Sequence, residues 1–385
     1  MKSPKLSNKI FSVHSWLGLI SGAFLIVIGL TGSILALTDE LHAWLNPDLM
    51  RVEPQAKTVS LDQMLANVKA KFPDAKVFGI QQGETPDESY RVRMDLNNEF
   101  YYAQINPYSG DVLGCGDLKP RNSYFVYFSR VMHYSLLMRP VGDLMVALIG
   151  LMFILLTLTG LYVNRKSLVR VFRVGVRWEK GVQKASSDAH QWIGVASLAF
   201  TFVMSATGFY LMLYAFSPEF YTRITEKSNP PAVVLSADSL MAQAKLHLPD
   251  FTPVMLQLPR KENQPITVRG HIAGSLFLYN HYSSYVQFDS KTGAVKKTFN
   301  INGAGFGEQL HAWLVALHYG QFGGFWLKLI YCIGGLTPGI LSVTGFVIWW
   351  KKKRRQVAPM QKTLPTKSAY SSASSDAAVL MNNNQ

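Results

Sequence analysis

The sequence predicts an α-helical membrane protein: a four-transmembrane-helix bundle from a duplicated two-span unit, with two small α+β domains on one side of the membrane. Three observations predict it. Four apolar stretches, Trp16 to Leu37, Val141 to Val163, Gly194 to Phe216 and Phe325 to Trp350, are almost free of charge, and each is near the ~20 residues needed to cross a bilayer. The sequence also matches itself at an offset of 176 residues. HSWLGLISGAFLIVIGLTGSIL from His14 and HQWIGVASLAFTFVMSATGFYL from His190 share His, Trp, Gly, Ser, Ala-Phe, Thr-Gly and Leu without a gap. HYSLLMRPVGDLMVALIGLMFILLTLTG from His133 and HYGQFGGFWLKLIYCIGGLTPGILSVTG from His318 each run 27 positions from histidine to a closing Thr-Gly. Finally, 385 residues with 48% apolar content, a net charge of +14 and a mean hydropathy of +0.10 fit an integral membrane protein rather than a soluble enzyme.

Orientation follows from where Lys and Arg collect. Lys2, Lys5 and Lys9 precede the first span. Arg165, Lys166, Arg170, Arg173, Arg177, Lys180 and Lys184 fill the loop between spans two and three, and Lys351 to Arg355 follow span four. All three sites are expected in the cytoplasm, with both termini, which leaves the two long connections in the periplasm of a bacterium. The first stretch is too long for a secretory h-region and has no small-residue cleavage site, so it reads as an uncleaved anchor. The basic charge sets topology and meets anionic lipid headgroups; nothing calls for nucleic acid.

The expected divisions are transmembrane helix 1 (8–38), a first external domain (39–121), an interfacial segment with helix 2 (122–165) and a basic cytoplasmic loop (166–186). Helix 3 (187–216), a second external domain (217–303), an interfacial segment with helix 4 (304–352) and a cytoplasmic tail (353–385) follow. The tail's Ser, Ala and Asn content from Val357 to Gln385 predicts disorder. Cys115 and Cys332 fall in an external loop and a span, with no CxxC and no CxxCH. A structural disulfide between them is not expected, and covalent c-type haem attachment is excluded.

Each long connection carries the same module. SLDQMLANVKAKFP from Ser60 aligns with SADSLMAQAKLHLP from Ser236; Ser caps a helix, Asp lies in its first turn and Pro lies just beyond its end. Period-two runs follow, ending in YYAQINPYSGDVLG (Tyr101 to Gly114) and SYVQFDSKTGAVKK (Ser284 to Lys297), where Ser-Gly or Thr-Gly turns a hairpin. These modules resemble the PepSY domain, and their insertion between His-bearing spans that end in Thr-Gly resembles the PepSY-associated transmembrane family over about residues 8 to 352. Within that family the pattern is similar to inner-membrane ferric-siderophore reductases that carry two b-type haems.

The resemblance implies that the repeated histidines hold those haems. His14 and His190 lie at the cytoplasmic ends of spans one and three, related by the repeat, so a pseudo-two-fold axis along the membrane normal would turn them toward each other. Two facing neutral imidazoles supply both axial positions of a haem iron. Gly18, Gly22, Gly29 and Gly32 below His14, and Gly194, Ser197, Ser205 and Gly208 below His190, leave either room for a macrocycle or room for close helix packing. His133 and His318 form the corresponding outer pair, or else sit on amphipathic interfacial helices. His311 precedes His318 by seven residues on the same helical face and aligns with Val126 in the first half. It is a rival outer ligand or a contact for external substrate, with His318 preferred on repeat symmetry.

Arg121, Arg130 and Arg139 either meet haem propionates or snorkel to the interface. His42, His247, His271 and His281 lack ligand spacing and read as surface residues. The GAGFG run at Gly303 to Gly307 follows no strand and opens no βαβ unit, so it is no nucleotide loop. A single thiol at Cys115 makes no metal site.

The expected activity is a haem-dependent oxidoreductase that carries electrons across the membrane and reduces a ferric siderophore or other ferric chelate. Iron leaves more readily as Fe²⁺, for which hard oxygen chelators have less preference. No flavin or nicotinamide motif is present, so the donor is a cytoplasmic protein or a membrane quinol. Two rivals stand beside this reading: a scaffold whose modules bind peptides or inhibit a protease, and a siderophore transporter. The spans offer a transporter little beyond the Gly-Leu-Thr-Pro-Gly break at 335 to 339.

Overall fold

A computed structural model describes residues 4–96, 99–117, 124–217, 230–231 and 233–357. Arg121 and the tail beyond 357 lie outside the described residues. The first half runs α1 (Pro4–Ala36), α2 (Thr38–Leu45), α3 (Pro47–Met50), α4 (Leu61–Lys71), β1 (Lys76–Gln81), β2 (Tyr90–Leu96), β3 (Glu99–Ile105), β4 (Val112–Asp117), α5 (Tyr124–Ser135) and α6 (Val141–Asn164). After α7 (Leu168–Val174), the second half runs α8 (Val182–Ala196), α9 (Leu198–Ala215), α10 (Ala237–His247), β5 (Phe251–Gln257), β6 (Ile266–Ile272), β7 (Ser284–Phe288), β8 (Val295–Phe299), α11 (Phe306–Tyr319) and α12 (Gly324–Val357).

Among the described residues four helical stretches are long and apolar enough to cross a membrane: Leu6–Ala36, Val141–Asn164, Leu198–Ala215 and Gly324–Arg354. Their burial is the reverse of a soluble bundle. Trp16, Ile20, Leu144, Leu148, Ile330 and Ile333 point outward, while Ser21, Ser33, Thr157, Thr201 and Ser205 are buried. In lipid, apolar side chains gain nothing from turning inward, so small and hydroxyl residues take the helix contacts. At the contact of α1 with α12, a Cβ on Gly29 would lie 2.6 Å from the carbonyl of Gly335. Pro338 sits inside α12, and the Gly334 carbonyl that a proline four residues on cannot engage accepts a hydrogen bond from Thr337 Oγ1 at 2.6 Å.

The histidine-bearing approaches to spans two and four are bent. After α5 the chain turns through Leu136 and Leu137, both at positive φ, and Gly320 closes α11 in the left-handed region. Each outer histidine therefore rides on a short helix of its own rather than on a span. The basic loop is also anchored: Asp188 on α8 accepts two hydrogen bonds from Arg177 at 2.8 Å and pairs with Lys184 at 2.9 Å. Part of the positive charge that suggested topology is thus spent on a buried carboxylate.

The external modules form the expected helices and hairpins, but they share one sheet. The described strands lie in the order β4-β3-β2-β1-β5-β6-β7-β8, antiparallel throughout, with β1 pairing β5 across the join. α4 and α10 cover one face, burying Met64, Val68, Leu240 and Ala244 against Ile80, Val92, Leu256 and Val268 in one continuous core. Each half alone would leave β1 or β5 as an open edge, and joining them satisfies both. Ser60 and Ser236 cap their helices as predicted. The aspartates reach further: Asp62 accepts from Ala237 N at 2.7 Å and Ser236 Oγ at 2.5 Å, and Asp238 accepts from Leu61 N and Asp62 N at 3.0 Å. Each carboxylate thus sits at the positive end of the other module's helix. Burial pulls the Asp62 carboxyl up, but these hydrogen bonds outweigh it and hold the group below the usual carboxylate range.

Among the described residues the sheet domain meets the helices below it where Tyr279 stacks with Trp313 of α11 at 6.4 Å between centroids and Phe277 packs on Phe322 at 5.8 Å. Lys328 of α12 pairs with Glu40 at 2.9 Å and Asp39 at 3.2 Å on α2, the helix that follows α1.

Candidate cofactor site

Four imidazoles are each held by a Thr-Gly step on a neighbouring helix. His14 on α1 meets Thr159 of α6 through Nδ1 at 2.9 Å, and His190 on α8 meets Thr344 of α12 at 2.9 Å. His133 on α5 meets Thr31 of α1 at 3.3 Å, and His318 on α11 meets Thr207 of α9 at 3.0 Å. In every case the next residue is glycine, and the ring lies over it. A Cβ on Gly160 or Gly345 would stand 3.3 Å from the Cε1 of His14 or His190, and one on Gly32 or Gly208 would stand 2.9 Å from that of His133 or His318. Thr fixes the ring's rotation, and Gly lets it approach the backbone.

The tautomer of one ring follows. His133 Nδ1 lies 2.9 Å from the Ile28 carbonyl, which precedes Thr31 by three residues. A carbonyl only accepts, so the imidazole nitrogen bonded to it carries the proton. With Nδ1–H so placed, the Nε2 of His133 keeps its lone pair, and an outer hydrogen bond of this kind orients a metal-ligating histidine and raises its basicity.

The rings meet in two pairs. His14 and His190 stand 6.3 Å apart between centroids with planes at 89°; His133 and His318 stand 6.2 Å apart at 46°. A metal–nitrogen bond of about 2.0 Å plus about 1.2 Å from nitrogen to ring centre would let two imidazoles that share one ion stand up to roughly 6.4 Å apart. Both pairs have that spacing. His14 and Thr31 are 17 residues apart on α1, as are His190 and Thr207 along α8 and α9. At 1.5 Å per residue the two pairs are therefore separated by about 26 Å along the helix axis, close to the thickness of a hydrocarbon core.

Beside the inner pair lies a cavity of about 850 Å³ with Gly18, Gly160, Gly194 and Gly345 in its wall and Lys352 and Lys353 at its rim. That is cofactor size. The small-residue stripes thus divide among three tasks. Gly18 and Gly194 line the cavity, Gly22 and Gly29 pack on Ser342 and Gly335 of α12, and Gly32 and Gly208 receive the outer histidines rather than a macrocycle.

His311 does not face His133. Its Nδ1 bonds Tyr210 Oη at 2.9 Å, and its ring lies 4.7 Å from that of Tyr214. Arg139 pairs with Asp143 and lies 4.5 Å above the Tyr134 ring, while Arg130 is exposed on α5. His271 and His281, read as separate surface residues, stand 5.1 Å apart. Among the described residues no three His, Cys, Asp or Glu side chains gather at metal-binding distance. The cradle threonines were in view as the repeated Thr-Gly closing each span, but that signal marked repetition and not a hydrogen-bond partner.

The family description "PepSY-associated TM region" matches residues 11–352. No curated protein matches the chain.

Proposed function

The chain belongs to the PepSY-associated transmembrane family, and from that premise we propose that it is a di-haem b electron conduit of the bacterial inner membrane that reduces a ferric chelate, a ferric siderophore being the expected substrate. The observation that carries this reading is the pair of facing imidazole pairs at metal-ligand spacing, one at each end of the bundle. His14 and His190 would hold the inner haem iron, with Lys352 and Lys353 at the rim of the cavity for its carboxylates; His133 and His318 would hold the outer one. Bound b-type haem supplies one-electron chemistry, and the protein contributes its ligands, their orientation and a low-dielectric surround.

The basic end, with both termini, is assigned to the cytoplasm, where a donor protein or a membrane quinol provides electrons. The sheet domain is assigned to the periplasm as two PepSY-like modules of a duplicated two-span unit. Each electron delivered converts one chelated Fe³⁺ to Fe²⁺, which the oxygen donors of the chelator hold less tightly.

The test is the absorption spectrum and haem content of the full-length protein purified in detergent from haem-replete cells. Two haems per chain are expected, and dithionite-reduced protein should be reoxidised by a ferric chelate. A preparation without a haem band sinks this reading and favours a scaffold that binds peptides through its sheet domain.

A further inference from the structure

The sheet face turned away from α4 and α10 carries a second feature. Strand alternation sends Ile80, Val92, Met94, Leu256 and Val268 into the core and their neighbours to the opposite face. Two cross-strand rows result there. One runs Tyr102, Arg93, Gly79, Gln257, Thr267, Gln287; the next runs Gln104, Arg91, Gln81, Met255, Arg269, Tyr285. Over the seam of β1 and β5 these rows wall a cavity of about 390 Å³. Arg91, Arg93, Arg260 and Arg269 line it, and no described lining residue is Asp or Glu.

Gly79 has φ +145°, and a Cβ there would lie 2.0 Å from the Leu256 carbonyl, so only glycine lets β1 run this close to β5 at the seam beneath the arginines. The guanidinium groups are half-buried and held in place. Arg269 Nε donates to Gln257 Oε1 at 2.9 Å, and its guanidinium lies 5.2 Å from the Tyr285 ring centre. Arg91 lies 5.5 Å from Tyr102 and Arg260 4.9 Å from Phe78. Arg269 Nη1 also donates to the Tyr282 carbonyl at 3.3 Å, and guanidinium groups oriented in this way recognise planar oxygen anions.

We infer that this groove binds a small, multiply anionic, oxygen-rich ligand. On the reductase reading above, on which this identification rests, that ligand is the ferric chelate itself, of the catecholate or carboxylate class rather than the neutral hydroxamate class. An extended acidic peptide fits less well, because β1 and β5 are interior strands with both edges paired and offer no edge for strand addition. Side-chain contacts link the groove to α11. Gln81 Nε2 donates to Tyr282 Oη at 2.7 Å, and Tyr282 closes the segment whose Tyr279 stacks on Trp313, on the helix of His318. Burial, then the charge of Glu84, pushes the Tyr282 hydroxyl up to about 12, so it serves as a neutral bridge.

Binding is separable from reduction by using gallium(III), which these conditions do not reduce. Full-length protein in detergent is titrated calorimetrically with the trianionic gallium tris-catecholate complex and with a neutral gallium trihydroxamate. The tris-catecholate should bind at least tenfold tighter, weaken as salt rises and lose at least tenfold in the Arg93→Gln/Arg269→Gln variant. If that double variant fails to fold, Arg260→Gln, three residues beyond the end of β5, should still weaken binding severalfold. Equal affinity for both complexes, affinity untouched by these substitutions, or binding of an acidic peptide alone would overturn the assignment. A normal haem spectrum without gallium-chelate binding removes only the groove; binding without haem removes only the electron conduit.

Discussion

The two histidine pairs share a spacing of 6.3 and 6.2 Å but are held differently. The inner rings sit on α1 and α8, lie at 89° to each other and border a cavity of about 850 Å³. The outer rings sit on the short helices α5 and α11, lie at 46° and press closer to their glycines, 2.9 Å against 3.3 Å from a Cβ placed there. The cradle also exchanges roles. At the inner end the second span of each half holds the histidine of the first; at the outer end the first span holds the histidine that leads into the second. One Thr-Gly device thus serves both ends, and each histidine's position depends on how two helices pack.

The largest expected effect comes from the ligands themselves. His14→Ala or His190→Ala should lower haem content from two per chain to one and leave the outer centre's spectrum intact, with the reciprocal result for His133→Ala or His318→Ala. Loss of both haems, or of neither, in a folded single variant would break the division into two independent pairs. Haemochrome quantitation reads this directly.

Next in size are the glycines, where the two pairs should separate. A methyl group on Gly32 or Gly208 must displace an imidazole ring, and roughly 10- to 100-fold faster haem loss is expected, the range typical of disturbed ligand support. Gly160→Ala and Gly345→Ala, with the wider clearance, should cost only about a few-fold by the same reasoning. Transfer to a haem scavenger measures the rates; inner variants that lose haem faster than outer ones would contradict the packing difference.

The smallest effects lie in the supporting contacts. Thr159→Val and Thr344→Val remove the hydroxyl that meets each inner ring but keep the side chain's shape; haem should be retained with affinity reduced by less than about tenfold and a shifted midpoint potential. His311→Phe should leave both haems in place. If it instead removes the outer one, His311 and not His318 is the ligand.

Much of the fold was legible because its signals are local. Charge-free runs near 20 residues mark the spans, and the Ser60 and Ser236 caps mark the sheet-domain helices. The pairing of β1 with β5 was not legible, since either strand reads equally well as the edge of a separate domain. Nor were the crossed caps of Asp62 and Asp238, which look in sequence like ordinary first-turn acids. His311 and His318 share a helical face two turns apart, so periodicity does not separate them; in the fold one ring meets Tyr210 and the other Thr207.

By itself the sequence determined which segments enter lipid, which histidines correspond and where the small residues fall, because hydropathy and repetition are properties of the chain read in order. Tertiary structure alone decided that His14 meets Thr159 across 145 residues, that Gly32 and Gly208 seat imidazoles, and that four arginines from both modules converge on one groove. Those are long-range contacts, fixed by helix crossing and strand register.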